Sequence, residues 1–540
     1  MPSAPQTAAL SQVMQLALQH HQQGRLEQAE VLYRQVTQAD PANADAWHLL
    51  GVAAAQRGDH ETAVGLISRA ISRRPEVALF HNNLGNALKA LARADEAAAS
   101  YRRAIERQPD FAMAHNNLAK VLREQYRYDE AQQHIQRALA LQPDYAEAYN
   151  HLGLIAFEQE QIDQAVVNYR QALTLQPGYA EALNNLGAAY AVQGRIDEAV
   201  ACYQQALTQT PAYATAHLNL AQALLLQGNF SQGWREYEWR WQGSAALEKD
   251  RRHFAQPQWR GEPLAGRTLL LHTEQGLGDT LQFIRYAPLA AQRGGKIIVE
   301  CQPPLERLLR SLPEIAQVVP RGTPLPSFDR HCPLLSLPLV FGTTLDTIPA
   351  TAPYLQADTD LSAGWRQRIG ASQQMNVGLV WAGSPRAHDP VSHLIDQRRS
   401  LSLAQFAPLA AVPGVRFYSL QKGTAAQQAA NPPANMVLTD FTADLHDFSD
   451  TAALVSQLDL VISVDTSVVH LAGAMGKPVW LLSRFDGCWR WLQERADSPW
   501  YPCLRIFRQP APRAWTPVLA EAAKALHGLI STAPLFHNHR

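Results

Sequence analysis

The sequence predicts a fold of class α plus α/β, in which a helical repeat array precedes two halves built on parallel sheets. Three observations carry that expectation. Prolines recur at Pro41, Pro75, Pro109, Pro143, Pro177 and Pro211, each 34 positions after the last, and a fixed period of that length marks stacked supersecondary units. Residues 268–287 read as a short apolar run, a glycine loop and a helical pattern. Residues 460–482, LVISVDTSVVHLAGAMGKPVWLL, read as strand, polar turn, helix and second strand, an alternation that builds a parallel sheet.

Composition sets the outer limits. A chain of 540 residues is long for one core, so two or three domains are expected. Apolar residues make up 46% and charged ones 18%, as in globular domains. Forty-seven Lys and Arg against forty-eight Asp and Glu leave a net charge of −1. No global field selects nucleic acid or an anionic membrane as partner. The N-terminus has no early basic residue and no continuous apolar run, and no segment reaches the length of a membrane span, so a cytoplasmic protein without an integral membrane segment is expected. Cys202, Cys301, Cys332, Cys488 and Cys503 are scattered, odd in number and never in C-x-x-C spacing. Neither a disulfide framework nor a zinc site follows from them.

Within the array the period is filled consistently. Leu50-Gly51, Leu84-Gly85, Leu118-Ala119, Leu152-Gly153, Leu186-Gly187 and Leu220-Ala221 mark the first helix of each unit. Ala29, Ala63, Ala97, Ala131, Ala165 and Ala199 mark the second, each followed four residues later by a tyrosine or isoleucine. Small residues let two helices approach, large ones fill the groove beside them, and proline closes the unit. The pattern resembles the tetratricopeptide repeat, with six units over about residues 10–213 and a seventh running into Trp234, where Gly233 replaces the alanine. These are packing positions; function belongs on the face formed by the first helices. There Asn82, Asn83, Asn116, Asn117, Asn150, Asn184 and Asn185 recur. Amides donate and accept, so such a ladder can grip an extended peptide backbone, or equally bridge neighbouring repeats. It is similar to the asparagine ladders of the O-linked N-acetylglucosamine transferases.

Five aromatics in 229–242 suit an end cap, giving an array over 10–242, and the polar stretch 243–266 reads as a linker. The first α/β half is expected over 267–360. Its loop Gly276-Leu277-Gly278-Asp279-Thr280 brings backbone close to a ligand. No Gly-Lys-Ser/Thr follows, and Leu281 stands in place of a third dinucleotide-fingerprint glycine, which disfavours kinase, ATPase and dehydrogenase chemistry. Strands are expected at 296–301, near 317–320 and at 328–337.

The second half is expected over 375–531. Val377 opens it, and 388–399 reads as a long polar loop ending in Arg398-Arg399, either of which could neutralise a diphosphate or remain solvated charge. Gln421-Lys422-Gly423 follows the strand 415–420 at its C-terminal end, where ligands gather in open parallel sheets, so Lys422 is a candidate phosphate ligand. Asp465, Thr466 and Ser467 supply capping side chains at a helix start, and His470 lies one turn further on. That arrangement suits a phosphate, since free N–H groups and the positive end of the helix dipole point there; it equally suits a plain N-cap with a core histidine. The tryptophans of 487–509 read as core or domain contacts, and the last helix, 518–530, could cross back to the first half.

The segment holding Asp465, Thr466, His470, Leu471, Ala472, Ala474, Gly476 and Pro478 resembles the D-T-x-x-x-H-L-A-x-A-x-G-x-P signature of the family 9 glycosyltransferases, the bacterial heptosyltransferase group; Ser467 stands where that family usually has glycine. The stretch GLGDTLQFIRYAPL is similar to the same family's G-D-x-x-x-x-x-P loop, with Pro288 later than the family spacing. The resemblance implies a GT-B pair of Rossmann-like domains and inverting, metal-independent transfer of a sugar from a nucleotide-sugar donor, used as substrate with no cofactor. It places the general base at Asp279, with Gly278 on the donor side. Donor phosphates would fall to Asp465, Thr466, Ser467, His470, Gln421, Lys422 and Arg398 or Arg399, and a protein acceptor to the repeats. Two other classes stay open: a peptide-binding scaffold with a degenerate second half, and a nucleotide-sugar epimerase or hydrolase.

Overall fold

The computed structural model describes residues 4–384 and 390–532. Residue contacts divide the chain into two units, Met1–Ala189 and Tyr190–Arg540. In the first, helices come in pairs: Ala4–Gln22 with Leu26–Ala39, Ala44–Gln56 with His60–Arg73, Ala78–Ala90 with Ala94–Arg107, Ala112–Glu124 with Tyr128–Leu141, and Ala146–Glu158 with Ile162–Leu175. The small residues work as the sequence implies. Ala29, Ala63, Ala97, Ala131 and Ala165 are wholly buried, and a Cβ on Gly85 or Gly153 would lie 2.5 Å from the ring of Tyr101 or Tyr169. Any larger residue would push the paired helices apart. The first pair begins at Ala4, earlier than residue 10.

The second unit contains the repeat helices Ile196–Gln209 and Ala214–Leu226, the cap helix Phe230–Tyr237 and two parallel sheets. Strands β1 (Thr268–His272), β2 (Lys296–Cys301), β3 (Ile315–Pro320) and β4 (Arg330–Pro333) lie in the order β3-β2-β1-β4. Strands β5 (Met375–Val380), β6 (Val415–Ser419), β7 (Leu438–Asp440), β8 (Leu460–Val464), β9 (Val479–Ser483) and β10 (Leu504–Arg508) lie in the order β10-β9-β8-β5-β6-β7. All pairings are parallel, with Leu271 opposite Val299 and Cys332, and Leu379 opposite Ile462. Read from β7, the larger sheet has the strand order of the dinucleotide folds, 3-2-1-4-5-6, and the smaller sheet has its first four places. The order reverses direction beside β1 and β5, and ligands of open α/β sheets bind outside the strand ends at such points.

One apolar core joins the cap to both sheets, running from Leu225 and Trp234 through Leu269, Leu271 and Val299 to Val461, Val479 and Leu481. A second fills the other face of the larger sheet, where Val377, Phe417 and Ile462 meet Trp515, Val518, Leu519, Ala522 and Leu526.

Several expectations are corrected. The division of contacts after residue 189 falls inside the array. The aromatic cap belongs with the sheets because Trp234 packs edge-on to Trp489 at 5.3 Å and to Phe283 at 6.3 Å. The linker is not all loop: Ala245–Asp250 is helical, and Trp259 is wholly buried, its N–H donating to the Glu262 carbonyl. The helix after β1 breaks after Phe283, where a 3-10 turn precedes Pro288, which has no N–H to continue the ladder. The polar loop is instead the helix Pro390–Arg399, which opens on a proline preset for the first helical position; residues 388 and 389 lie outside the described residues. Among the described residues, the last helix, Trp515–Thr532, packs on elements of the second half. Its apolar stripe lies on the larger sheet.

His272, at the end of β1, sits with Nε2 3.3 Å from His331 Nδ1. Burial, followed by the nearby His331 and Arg252, pulls its pKa down to about 3. The unfolded imidazole takes up a proton below about pH 6.5 while the folded one does not, so this contribution is complete above that pH and is lost as pH falls. Chemical denaturation should show the unfolding free energy falling by about 1.4 kcal/mol per pH unit between roughly pH 6 and 4 from this group. His272→Phe should flatten that slope.

Candidate functional site

The two helix starts singled out in the sequence meet. Leu277–Phe283 follows β1, Ser467–Ala474 follows β8, and the helices pack on one another. Gly278 is the point of closest approach. A Cβ there would lie 2.8 Å from His470 Cδ2, 3.4 Å from His470 Nε2 and 3.5 Å from Ser467 Cα. Only glycine permits this approach without displacing the His470 ring.

Three groups set the electrostatics. Asp279 Oδ2 accepts from the Gly276 N–H at 2.8 Å, and Oδ1 forms an ion pair with Arg490. Arg490 also donates to Gln282 Oε1 at 2.9 Å and lies over the Trp489 ring at 4.2 Å. Burial works against its charge, yet the Asp279 carboxylate outweighs it and raises the guanidinium pKa. His470 is buried, bonded through Nδ1 to the Tyr501 hydroxyl at 2.9 Å and stacked on Trp491 at 5.3 Å. Burial, then Arg490 and Arg285, hold its pKa well below the ordinary value, so the ring is neutral. Tyr501 engages Nδ1, and Nε2 is the ring nitrogen facing Gly278.

Thr466 is the N-cap of Ser467–Ala474 but makes no side-chain cap; its hydroxyl bonds Ser463 at 3.0 Å. The helix start therefore keeps N–H groups and positive dipole for another acceptor. Arg399 approaches the same turn, donating Nη1 to the Asp465 carbonyl at 2.8 Å while Asp396 holds its other edge. Gly383 makes room for that guanidinium.

Other expected residues have different partners. Gln421 accepts from the Trp381 and Ala382 N–H groups and donates to the Ala382 and Lys422 carbonyls, a bracket between the ends of β5 and β6. The Lys422 ammonium donates to the Thr442 and Leu445 carbonyls at 2.7 and 2.9 Å, tying down the loop after β7. Arg398 pairs with Asp486, which also takes Arg484. Of the candidate anion ligands, Asp465, Thr466, Ser467, His470 and Arg399 are clustered; Arg398, Gln421 and Lys422 hold structure.

Sequence reasoning missed Arg490, Tyr501, Gln282 and Arg285. Arg285 is buried, donating to the Trp500 and Pro349 carbonyls and to Tyr354. The arginine-rich tail signalled charge, but nothing local signals that Arg490 meets a carboxylate 211 positions earlier.

In the first unit the asparagines form a rail. Asn83 bonds His48 at 2.8 Å, Asn117 donates to Asn82 at 3.0 Å, His151 bonds Asn116 at 2.8 Å and Asn185 donates to Asn150 at 3.0 Å. Within pairs, Asn82 donates to Asn83 and Asn184 to Asn185. The inner members Asn82, Asn116, Asn150 and Asn184 are buried. The outer amides Asn83, Asn117 and Asn185 are half-buried.

Family models agree with this part of the chain. Tetratricopeptide repeat models match residues 14–78 and 82–146, and 153–194 and 190–228. The N-terminal array is a set of tetratricopeptide repeats. Protein FlbA of Caulobacter vibrioides is 27% identical over 336 residues, covering 55% of this chain and 52% of its own length, so the chain spans about half of that curated relative. Among solved structures, a thermophilic tetratricopeptide repeat protein of Thermus thermophilus is 25% identical, with TM-score 0.31 over 34% of this chain and 99% of its own. A repeat protein of Parabacteroides merdae is 14% identical, with TM-score 0.39 over 45% and 97%.

Among the described residues no helix is long and apolar enough to cross a membrane, and no group of three or more His, Cys, Asp or Glu is placed to hold a metal ion.

Gly278→Val should push against the buried His470 ring and lower the unfolding free energy by about 1–3 kcal/mol, measured by chemical denaturation. Arg490→Met strands the Asp279 carboxylate and should cost about 3–5 kcal/mol, with part of the loss recovered in the Arg490→Met/Asp279→Asn double variant.

Proposed function

We propose that the sheet-bearing region transfers a sugar from a nucleotide-sugar donor to a protein segment held by the repeats, as an inverting glycosyltransferase on a GT-B-like pair of sheets. The observation that carries this reading is the meeting of two helix starts, one after each sheet's first reversal point, with Asp279 and His470 beside the contact. Tetratricopeptide repeats themselves suggest a protein-interaction scaffold, which fits a macromolecular acceptor.

In this mechanism the donor's diphosphate lies at the Ser467–Ala474 start, where backbone N–H groups and the helix dipole meet negative charge beside the neutral His470 ring. The acceptor hydroxyl attacks the anomeric carbon, the carbon–oxygen bond to the diphosphate breaks, and the nucleoside diphosphate departs with the bonding pair. Asp279 takes the hydroxyl proton. Arg490 pairs with that carboxylate and must yield one oxygen to the acceptor. Arg399, held against Asp465, adds positive charge on the leaving-group side.

A second reading rests on one observation: both Asp279 oxygens are already engaged, by the Gly276 N–H and by Arg490. A region whose carboxylate serves only to cap a helix and satisfy a buried guanidinium would leave a scaffold. Thermal-shift measurement against UDP-, GDP-, ADP- and CMP-sugars separates the two. A transferase shows a raised Tm with one donor class, and Asp279→Asn then removes transfer by about a hundredfold or more while donor binding persists. No shift with any donor would leave the scaffold reading.

A further inference from the structure

Charge is unevenly distributed along the first helices of the repeats. Ala78–Ala90 and Ala112–Glu124 carry Lys89, Lys120 and Arg123 against Glu124. Ala146–Glu158 carries Glu147 and Glu158 with no lysine or arginine, and Ala180–Val192 carries only Glu181. The balance therefore passes from positive to negative between neighbouring repeats. The second residue of each helix shows the same break: Leu79, Met113, Glu147, Glu181. Asp45, in the preceding repeat, is taken by Arg74 at 3.0 Å.

The positive stretch lines an open depression. A cavity of about 280 Å³ is lined by Asn86, Lys89, Ala90, Tyr101, Asn117 and Lys120, with the Tyr101 hydroxyl donating to Asn86 at 2.8 Å. Lys89 meets Glu124 at 3.0 Å and Lys120 meets Glu147 at 3.1 Å, in pairs whose side chains are 28–44% exposed. Exposed pairs of this kind are weak and exchange readily for a ligand's charge. Leu79 and Met113 are 44% and 47% exposed, and Met113 Sδ lies 3.8 Å from Asn82 Nδ2, which places it beside the amide rail.

We infer that this face holds an extended peptide in one direction only, with an acidic side chain in the Lys89–Lys120 cavity, an apolar one over Leu79 and Met113, and a basic one against Glu147 and Glu181. The inference rests on the reading of the repeats as the peptide-holding part and adds the partner's charge order. The rail alone cannot set direction or sequence, since amides read backbone and not side chains. A groove whose ends differ in sign disfavours the reversed peptide by placing like charges together.

The test uses the full chain and two fluorescein-labelled synthetic peptides of equal length. One is neutral, of Ser, Asn and Ala; the other carries Glu residues towards one end, Lys towards the other and Leu between. Fluorescence anisotropy at low salt should show the charged peptide binding about tenfold more tightly, with the advantage shrinking as salt rises. Lys89→Gln/Lys120→Gln and Glu147→Gln/Glu181→Gln should each remove most of that gain while leaving thermal melts and the neutral peptide's affinity unchanged. A photo-crosslinker at the Glu end should label residues 78–124, and one at the Lys end residues 146–189. If the two peptides bind alike, or either end labels both segments equally, the directional groove is overturned while peptide holding stands. If neither peptide binds, both readings fall.

Discussion

Gly278 has no side chain, and the imidazole of His470 on the Ser467–Ala474 helix occupies the space a side chain would need. That contact brings the ends of β1 and β8 together, so that a carboxylate from one half and an imidazole from the other share one neighbourhood. Buried cations reinforce it. Arg490 can be buried beneath the contact only because Asp279 and Gln282 meet its donors, since an unpaired buried guanidinium would be strongly destabilising. The aspartate therefore satisfies a folding requirement whatever chemistry it performs.

The same economy of pairing recurs where the cap joins the first sheet. Arg240 is wholly buried and meets Glu274 through two bonds of 3.0 and 2.8 Å, with Glu238 and Ser336 completing its donors. Glu274 in turn accepts the Leu335 N–H. Beside this network Trp234, Trp489, Trp500 and Phe283 pack edge-on and supply the apolar area. Ion pairs fix the register of these elements while the aromatic rings drive their burial.

In the repeats, the asparagines illustrate how one residue type can serve two ends. Each inner amide is buried and must be bonded: the outer amide of the next repeat bonds Asn82 and Asn150, His151 bonds Asn116, and Asn184 donates to Asn185. Bridging thus uses the donors of Asn117 and Asn185 and leaves their carbonyl oxygens with spare acceptor capacity. The two roles weighed for this ladder, bridging repeats and gripping a backbone, are compatible within one amide.

The repeat array was legible residue by residue, because its packing is local: a 34-residue period, a small residue facing a large one, and a proline between units determine each helix pair without distant information. Both sheets were legible in outline too, since short apolar runs ending in glycine or Asp-Thr-Ser turns are local signals of a strand passing into a helix. Tertiary structure alone decided which of the signalled side chains meet. Lys422 and Gln421 lie at a strand end as expected and Arg398 lies in a helix's last turn where a loop was expected, but carbonyls, amide groups and Asp486 take them, because polar groups held within the fold must find partners wherever the chain places them. Arg490 and Tyr501 reach Asp279 and His470 across 211 and 31 positions. Sequence spacing carries no trace of such pairings, since they depend on the packing of two separately formed sheets.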